Sequence, residues 1–435
     1  MKDIDKRILH IAMPAIVSNI TVPLLGLVDV SIVGHLGAAS YIAAIAIGGM
    51  IFNVMYWLFG FLRMGTSGMT SQTFGKRDLR GVMRLLMRSL GIAMTVALLL
   101  MMLQMPISRL AMWIMEPSAE VGQYVSTYFN ILIWGTPAML GLYSMTGWFI
   151  GMQNSRLPMA IAITQNVVNI VASLLLVFCF GMKVEGVALG TLIAQYSGFL
   201  MSLVMWYAVY GRLLKYSDSH RLFAWDAMKG FLAVNRDIFL RTLCLISVML
   251  FFTSVGSWQG DTTLAVNTLL MQFYMIFSYV MDGFAYAGEA ISGKLYGANN
   301  RVGLSVAVRR LFWWGGVMMV VFTLLYIVGC TPFMSVLTND DSVVCAAKEY
   351  SFWAMLMPAA GVATFIWDGV FIGCTKTRGM LQSMFLSAVV FFSIYYGLYG
   401  ELANHALWLA FLLYMLTRGV VQTVLWKKYT VRFDD

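Results

Sequence analysis

Apolar residues in this chain gather in long unbroken runs, not in the alternating or heptad stripes of soluble elements. Twelve runs are visible, at about 8–34, 42–66, 85–105, 122–150, 158–180, 186–210, 234–257, 263–290, 308–330, 348–373, 380–398 and 404–426. Each approaches or exceeds the ~20 residues that carry a helix across a ~30 Å hydrocarbon layer. A membrane barrel would instead show ~10-residue alternating segments. The pattern predicts an all-α polytopic membrane protein with twelve transmembrane helices.

The runs repeat. TFGKRDLRGVMRLLMRSL at 73–90 aligns with LYGANNRVGLSVAVRRLF at 295–312, an offset of 222. GWFIGMQNSR at 147–156 aligns with GVFIGCTKTR at 369–378 at the same offset. Tyr128 matches Tyr350, and Pro137 matches Pro358 after a one-residue slip. Two blocks in one order indicate duplication. Six spans per half give both halves the same orientation. The expected architecture is two six-helix lobes, 1–210 and 234–435, related by a pseudo-twofold axis along the membrane normal. The polar stretch 211–233 joins them as a cytoplasmic linker. Parallel repeats of this kind are a recurrent transporter plan, with substrate held between the halves.

Composition agrees: 60% of residues are hydrophobic and 11% charged, against about 25% charged in soluble domains. The net charge of +9 would suit nucleic acid were it clustered on one surface, but it is distributed by loop. With the amino terminus inside, Lys76, Arg77, Arg80, Arg84 and Arg88, the 212–241 group (with Arg236 and Arg241), Arg309, Arg310, Arg378 and Arg418 all fall on the inner side. Only Arg109, Lys183 and Lys348 fall outside. This is the positive-inside bias. It predicts cytoplasmic termini and a cytoplasmic (inner) membrane location, and it makes a nucleic-acid partner unnecessary. No removable signal peptide is expected. The five cysteines form no metal spacing.

Candidate chemistry starts with Asp29, a carboxylate inside the first run. A charge at bilayer depth costs ~2.5–3.5 kcal/mol on insertion scales, so such acids face a cavity or partner. Pro14 and Pro23 make the same helix bendable. The repeat acts as an internal control. Asp29 stands opposite Phe251, Pro14 opposite Arg236, Asn166 opposite Ala388, Asn169 opposite Phe391 and Ser173 opposite Tyr395. Only the first half therefore builds a polar cluster, from Asp29, Asn166, Asn169 and Ser173, with Thr191 on the sixth span. Helix-to-helix bridging at ~0.6 kcal/mol per pair is the plain alternative. It suffices for Thr191 alone. A carboxyl held among amide and hydroxyl dipoles in low dielectric is instead suited to carry a proton. Asp282 and Glu289 on the eighth span and Asp368 on the tenth either line the second half's cavity or pair with Lys294 or Arg378. Pairing is expected for Glu289. No HExxH or GxSxG motif occurs and the four histidines are scattered, which argues against an enzyme.

These residues bring the chain to a known family. It resembles the multidrug and toxic compound extrusion (MATE) transporters, in the bacterial DinF-like branch, over nearly its full length. The resemblance rests on AMPAI at 12–16, LVDVSIVGHLG at 27–37, GWFIGMQNSRLP at 147–158, QNVVNIVAS at 165–173, GVALGTLIAQ at 186–195, MDGFAYAGEAISGKLYGA at 281–298 and DGVFIGCTKTR at 368–378. It implies alternating-access antiport that exports organic, mostly cationic or amphipathic compounds against inward H⁺ or Na⁺. It implies Asp29 as coupling carboxylate, Pro14 as the bending proline, and Asn169 and Thr191 beside the ion. Many relatives carry a second acid where this chain has Ser173, and the loss of that charge favours H⁺. No cofactor is expected. Small organic substrates and membrane lipid are the expected partners of a monomer. The rival reading is a lipid-linked sugar flippase of related fold. Its cavity should be basic, whereas the basic residues here lie mostly at the inner rim.

Overall fold

The computed structural model describes residues 2–35, 38–217, 222, 224–337 and 341–431. Part of the linker, 218–221 and 223, lies outside the described residues. Regular structure among the described residues is helical throughout. The first half contains α1 (Lys2–Gly34), α2 (Ala39–Leu58), α3 (Phe61–Gly75), α4 (Leu79–Met102), α5 (Gln104–Met115), α6 (Ala119–Leu132), α7 (Thr136–Gly151), α8 (Arg156–Leu174) and α9 (Val184–Tyr210). The second contains α10 (Trp225–Trp258), α11 (Asp261–Gly297), α12 (Arg301–Leu337), α13 (Asp341–Gly373), α14 (Thr377–Leu402) and α15 (Asn404–Val431).

Lipid offers no partner to a bare peptide group, so each apolar run must close its own hydrogen bonds as helix. Ten stretches have the length and hydropathy to cross a membrane. With α1 and the α6–α7 stretch they make the twelve spans expected. Two spans are broken: α2 meets α3 at Phe59–Gly60, and a tight turn, Ile133–Gly135, separates α6 from α7. Pro137 sits in the first turn of α7, where its missing N–H costs nothing. Pro358 lies inside the unbroken α13.

The duplication is visible in the packing as well as in the letters. Arg77 and Asn299 both adopt positive φ, 59° and 54°, and the turns that follow are capped alike. Asp78 Oδ1 accepts from the Gly81 N–H at 2.8 Å, and Asn300 Oδ1 accepts from the Gly303 N–H at 2.8 Å. The helix seams match too. A side chain at Gly151 would meet the Ser67 carbonyl at 2.8 Å, and one at Gly373 would meet the Glu289 carbonyl at 2.6 Å. Gly147 and Gly369 lie even closer to the carbonyls of Arg63 and Ala285. Each half thus joins two helices, α3 to α7 and α11 to α13, through a small-xxx-small contact at equivalent positions.

The contacts divide the chain into two compact units. One comprises Val17–Leu232; the other comprises Met1–Ile16 together with Ala233–Asp435. Helix α1 therefore belongs to the second unit over its first half and to the first unit over the rest. Helix α10 begins at Trp225, inside the stretch read as linker, and its opening turns belong to the first unit.

Helix α5 has no counterpart among the apolar runs. It has no buried residue, and it presents Met105, Leu110, Trp113 and Ile114, each more than half exposed. Apolar side chains of that kind on a short helix suit the headgroup boundary.

Candidate ion-coupling site

Asp29 lies on the part of α1 that belongs to the Val17–Leu232 unit. It is half-buried, and its Oδ1 is buried with no hydrogen-bond partner among the described residues. Helix α8 carries Asn169 and Ser173, four residues apart and therefore on one face, both fully buried. The Asn169 amide donates to Thr191 Oγ1 of α9 at 2.9 Å, and the Thr191 hydroxyl in turn donates to the Val187 carbonyl at 3.0 Å. Asn169 Oδ1 and Ser173 Oγ are left without partners. Ser173 fits because α9 offers Gly190 there; a side chain at that position would meet the Ser173 backbone N at 2.9 Å. One residue beyond, α8 widens into a π turn, Leu175–Cys179, a coil frequent near functional sites.

The repeat shows how these positions relate. Phe251, Phe391 and Tyr395 are the counterparts of Asp29, Asn169 and Ser173. Phe251 contacts Phe391 with centroids 6.0 Å apart and Tyr395 with centroids 5.2 Å apart. In the second half, then, the first-span position and the two fifth-span positions face one another across a seam filled with rings. The equivalent positions of the first half carry a carboxylate, an amide and a hydroxyl. Asn166 stands slightly apart and ties α8 to α1, donating to the Thr21 carbonyl at 3.3 Å.

Tyr128 carries no functional signal in the sequence. Its ring is buried, and its hydroxyl lies by that of Thr191 and on the Asp29 side of the bundle. Tyr128 is matched by Tyr350, so the internal control classed it as architecture. Its ring packs tightly against Gly48 of α2, so packing alone accounts for its presence in the repeat. Below it, Tyr56, Thr136 and Gln195 form a further buried polar group.

Pro14 is fifteen residues before Asp29, ~22 Å along a helix. It sits two residues before the point where α1 changes unit. The remaining acids lie in the other unit. Glu289 is buried on α11. Asp282 lies within electrostatic reach of Arg241. Asp368 does not pair with Lys294 or Arg378: it accepts from Arg241, from Arg418 and, at 2.8 Å, from Gln422 Nε2. Arg241 and Arg418 were assigned to the cytoplasmic rim by their position in the chain. Both are buried, 7% and 5% exposed, around Asp368 and so are not solvent-facing anchors. No group of three or more metal-type side chains occurs among the described residues.

The MatE family model matches the chain twice, over residues 14–175 and 238–396, once per half. DNA damage-inducible protein F of Escherichia coli (strain K12) is 34% identical over 98% of this chain and 92% of its own length. A crystal structure of a MATE protein in the bent conformation superposes with a TM-score of 0.87 at 19% identity, covering 99% of this chain and 96% of that one. The outward-facing conformation of a multidrug resistance MATE family transporter gives 0.86 at 18% identity, with the same coverage of both chains. Twelve spans, a two-fold repeat and a relative alike over nearly the whole length lead to one conclusion: the chain belongs to the MATE family of transporters.

Proposed function

We propose that this protein is a secondary antiporter that exports organic, cationic or amphipathic compounds in exchange for H⁺, with Asp29 as the carboxylate that carries the ion. The observation that carries the reading is a buried carboxyl oxygen with nothing to bond. Asp29 Oδ1 is buried, and neither a hydrogen-bond donor nor a cation pairs with it among the described residues. One proton on Asp29 removes the buried charge and turns the carboxyl into a donor, and rescuing an orphaned buried group is worth about 1–3 kcal/mol. A buried carboxylate with no cation beside it is a group that takes up a proton. Sodium could be held by the same oxygens, but with a single negative charge to neutralise it, because Ser173 stands where a second acid would.

The cycle follows from that local change. In the outward-open state Asp29 takes a proton from outside and joins the Asn169, Ser173 and Thr191 group. Helix α1 then bends near Pro14, where a hydrogen bond is already missing, and the substrate is released. The lobes rock inward and Asp29 gives its proton to the cytoplasm, where both termini lie. The ion can drive this only through different affinities for the two states.

The test uses purified protein in liposomes with an imposed pH gradient, no sodium and a fluorescent cationic dye. Dye movement in the wild type that disappears in Asp29→Asn supports the reading. Movement that requires added sodium assigns the ion to Na⁺ instead. Movement that still follows the pH gradient in Asp29→Asn removes Asp29 from the role.

A further inference from the structure

Helix α1 is one rod shared by two units. Its first half, to Ile16, belongs with Ala233–Asp435. Its second half, from Val17, belongs to the unit that holds Asn169 and Ser173. The first half is fastened. Arg310 of α12 grips Asp5 with both ends of its fork, Nε to Oδ1 at 2.7 Å and Nη2 to Oδ2 at 2.6 Å. Trp314 Nε1 adds a third donor at 3.2 Å, and the guanidinium lies 4.7 Å from the Trp313 ring centroid. The two charged side chains are 19% and 18% exposed. Such a bidentate, partly desolvated and ring-backed pair holds orientation as well as charge. Further along, Ala12 and Ile16 close on Gly283 so tightly that a side chain there would meet the Ala12 carbonyl at 2.9 Å.

The duplication gives this contact its meaning. The repeat mate of Arg310 is Arg88, and Arg88 Nε donates to the Leu222 carbonyl at 2.5 Å. Leu222 leads into α10, whose opening turns likewise sit in the unit opposite to the rest of that helix. Each half's arginine thus holds the start of the other half's first helix. The two contacts differ in one respect. Arg310 grips a side-chain carboxylate where Arg88 donates to a backbone oxygen, and Ala227 occupies the position of Asp5.

We propose that Asp5 and Arg310 are positioning residues for transport, which make the first half of α1 part of the carboxy-terminal unit so that a change at Asp29 is transmitted to that unit through the helix. The proposal rests on Asp29 being the ion carrier. A loose first half would let α1 bend without moving anything else.

Two measurements on the full-length protein test it. The first is the liposome assay. Asp5→Asn and Arg310→Gln should bind the dye as the wild type does but transport it about tenfold more slowly, and the exchanged pair Asp5→Arg with Arg310→Asp should recover most of the rate. Wild-type rates in the single variants overturn the proposal, as does dye binding lost in parallel with transport. Should the single variants not fold, the exchanged pair decides: folded and active supports the proposal, folded and inactive overturns it. The second measurement needs no substrate. Asp29→Asn, a neutral stand-in for the protonated acid, should change amide-exchange protection over residues 301–316 in the wild-type background and leave it unchanged in the Asp5→Asn background. An equal change in both backgrounds, or none in the first, overturns transmission through the clasp. Failure of the ion reading would appear separately, as dye movement that still follows the pH gradient in Asp29→Asn.

Discussion

Two intramembrane carboxylates in this chain should respond in opposite ways to the same substitution. Asp368 is the hub of a buried ionic group: Arg241 and Arg418, with side chains 8% and 6% exposed, share one of its oxygens, and Gln422 takes the other. Asp368→Asn removes the carboxylate that, among the described residues, pairs with both buried guanidiniums. Removing one partner of a buried pair costs about 3–5 kcal/mol, because a charge is left uncompensated. That is two to three and a half orders of magnitude in the ratio of folded to unfolded protein, at about 1.4 kcal/mol per tenfold. The Nε atoms of both arginines already lack partners, and the spare acceptor there, Gln422 Oε1, is neutral and cannot replace the lost charge. Asp29→Asn deletes a charge that has no ion pair and whose Oδ1 has no hydrogen bond. It should leave stability unchanged or raise it. The assay is thermal unfolding in detergent, read through a thiol-reactive dye at Cys374, which is buried six residues past Asp368. The full apolar replacement, Asp368→Leu with Arg241→Met and Arg418→Met, should recover much of the loss, since a packed apolar group avoids the desolvation of all three charges. Equal unfolding temperatures for Asp368→Asn and Asp29→Asn would refute the account of both sites.

Three further outcomes follow. Tyr128→Phe keeps the ring against Gly48 and deletes only the hydroxyl near Asp29 and Thr191; export should fall about tenfold with at most ~1 kcal/mol lost in stability, and wild-type export would exclude the hydroxyl from the site. Gly373→Val forces a side chain into the Glu289 carbonyl at 2.6 Å and should cost more than the ~1–3 kcal/mol of ordinary overpacking, because backbone cannot step aside; unchanged unfolding would mean the α11–α13 seam is looser than described. The Arg310 hydrogen bonds hold the Asp5 carboxyl below the usual range, whereas the unfolded chain titrates near about 3.9. The folded value is the lower one, so the stabilisation is complete above about pH 5 and is lost as pH falls through the depressed value. Unfolding of wild type and Asp5→Asn should therefore differ by a constant amount from pH 5 to 8 and converge in acid, and convergence at neutral pH would contradict the clasp.

How much of this was legible in the sequence depends on whether the responsible force is local. Spans were legible because a bilayer imposes one length and one polarity on each of them. The duplication was legible because the seams at Gly151 and Gly373 admit no side chain, which keeps GWFIG and GVFIG recognisable. The contrast between halves picked out Asn169 and Ser173 correctly as buried polar groups on one face. Tyr128 was missed by the same contrast, since a residue that packing retains in both halves shows no difference between them. The exchange of helix starts was not legible at all. It depends on Arg310 reaching Asp5 across 305 residues of chain, and nothing local to either residue specifies it.

The arginines show where loop charge-counting reaches its limit. Arg241 and Arg418 each lie at one end of an apolar run, as a cytoplasmic anchor would, and the positive-inside rule reads them as rim. What separates a rim arginine from a buried one is a counter-charge at the same depth, and Asp368 is 127 residues from one and 50 from the other. Their burial also changes what Asp368 can do. A carboxylate that two guanidiniums already neutralise gains nothing from a proton and would forfeit two ion pairs to accept one. Asp29, with no cation beside it, forfeits none. Asp368 is thus held by two cations, whereas Asp29 has none among the described residues. That difference in partners, more than burial itself, is the physical ground for assigning the coupling ion to the amino-terminal half.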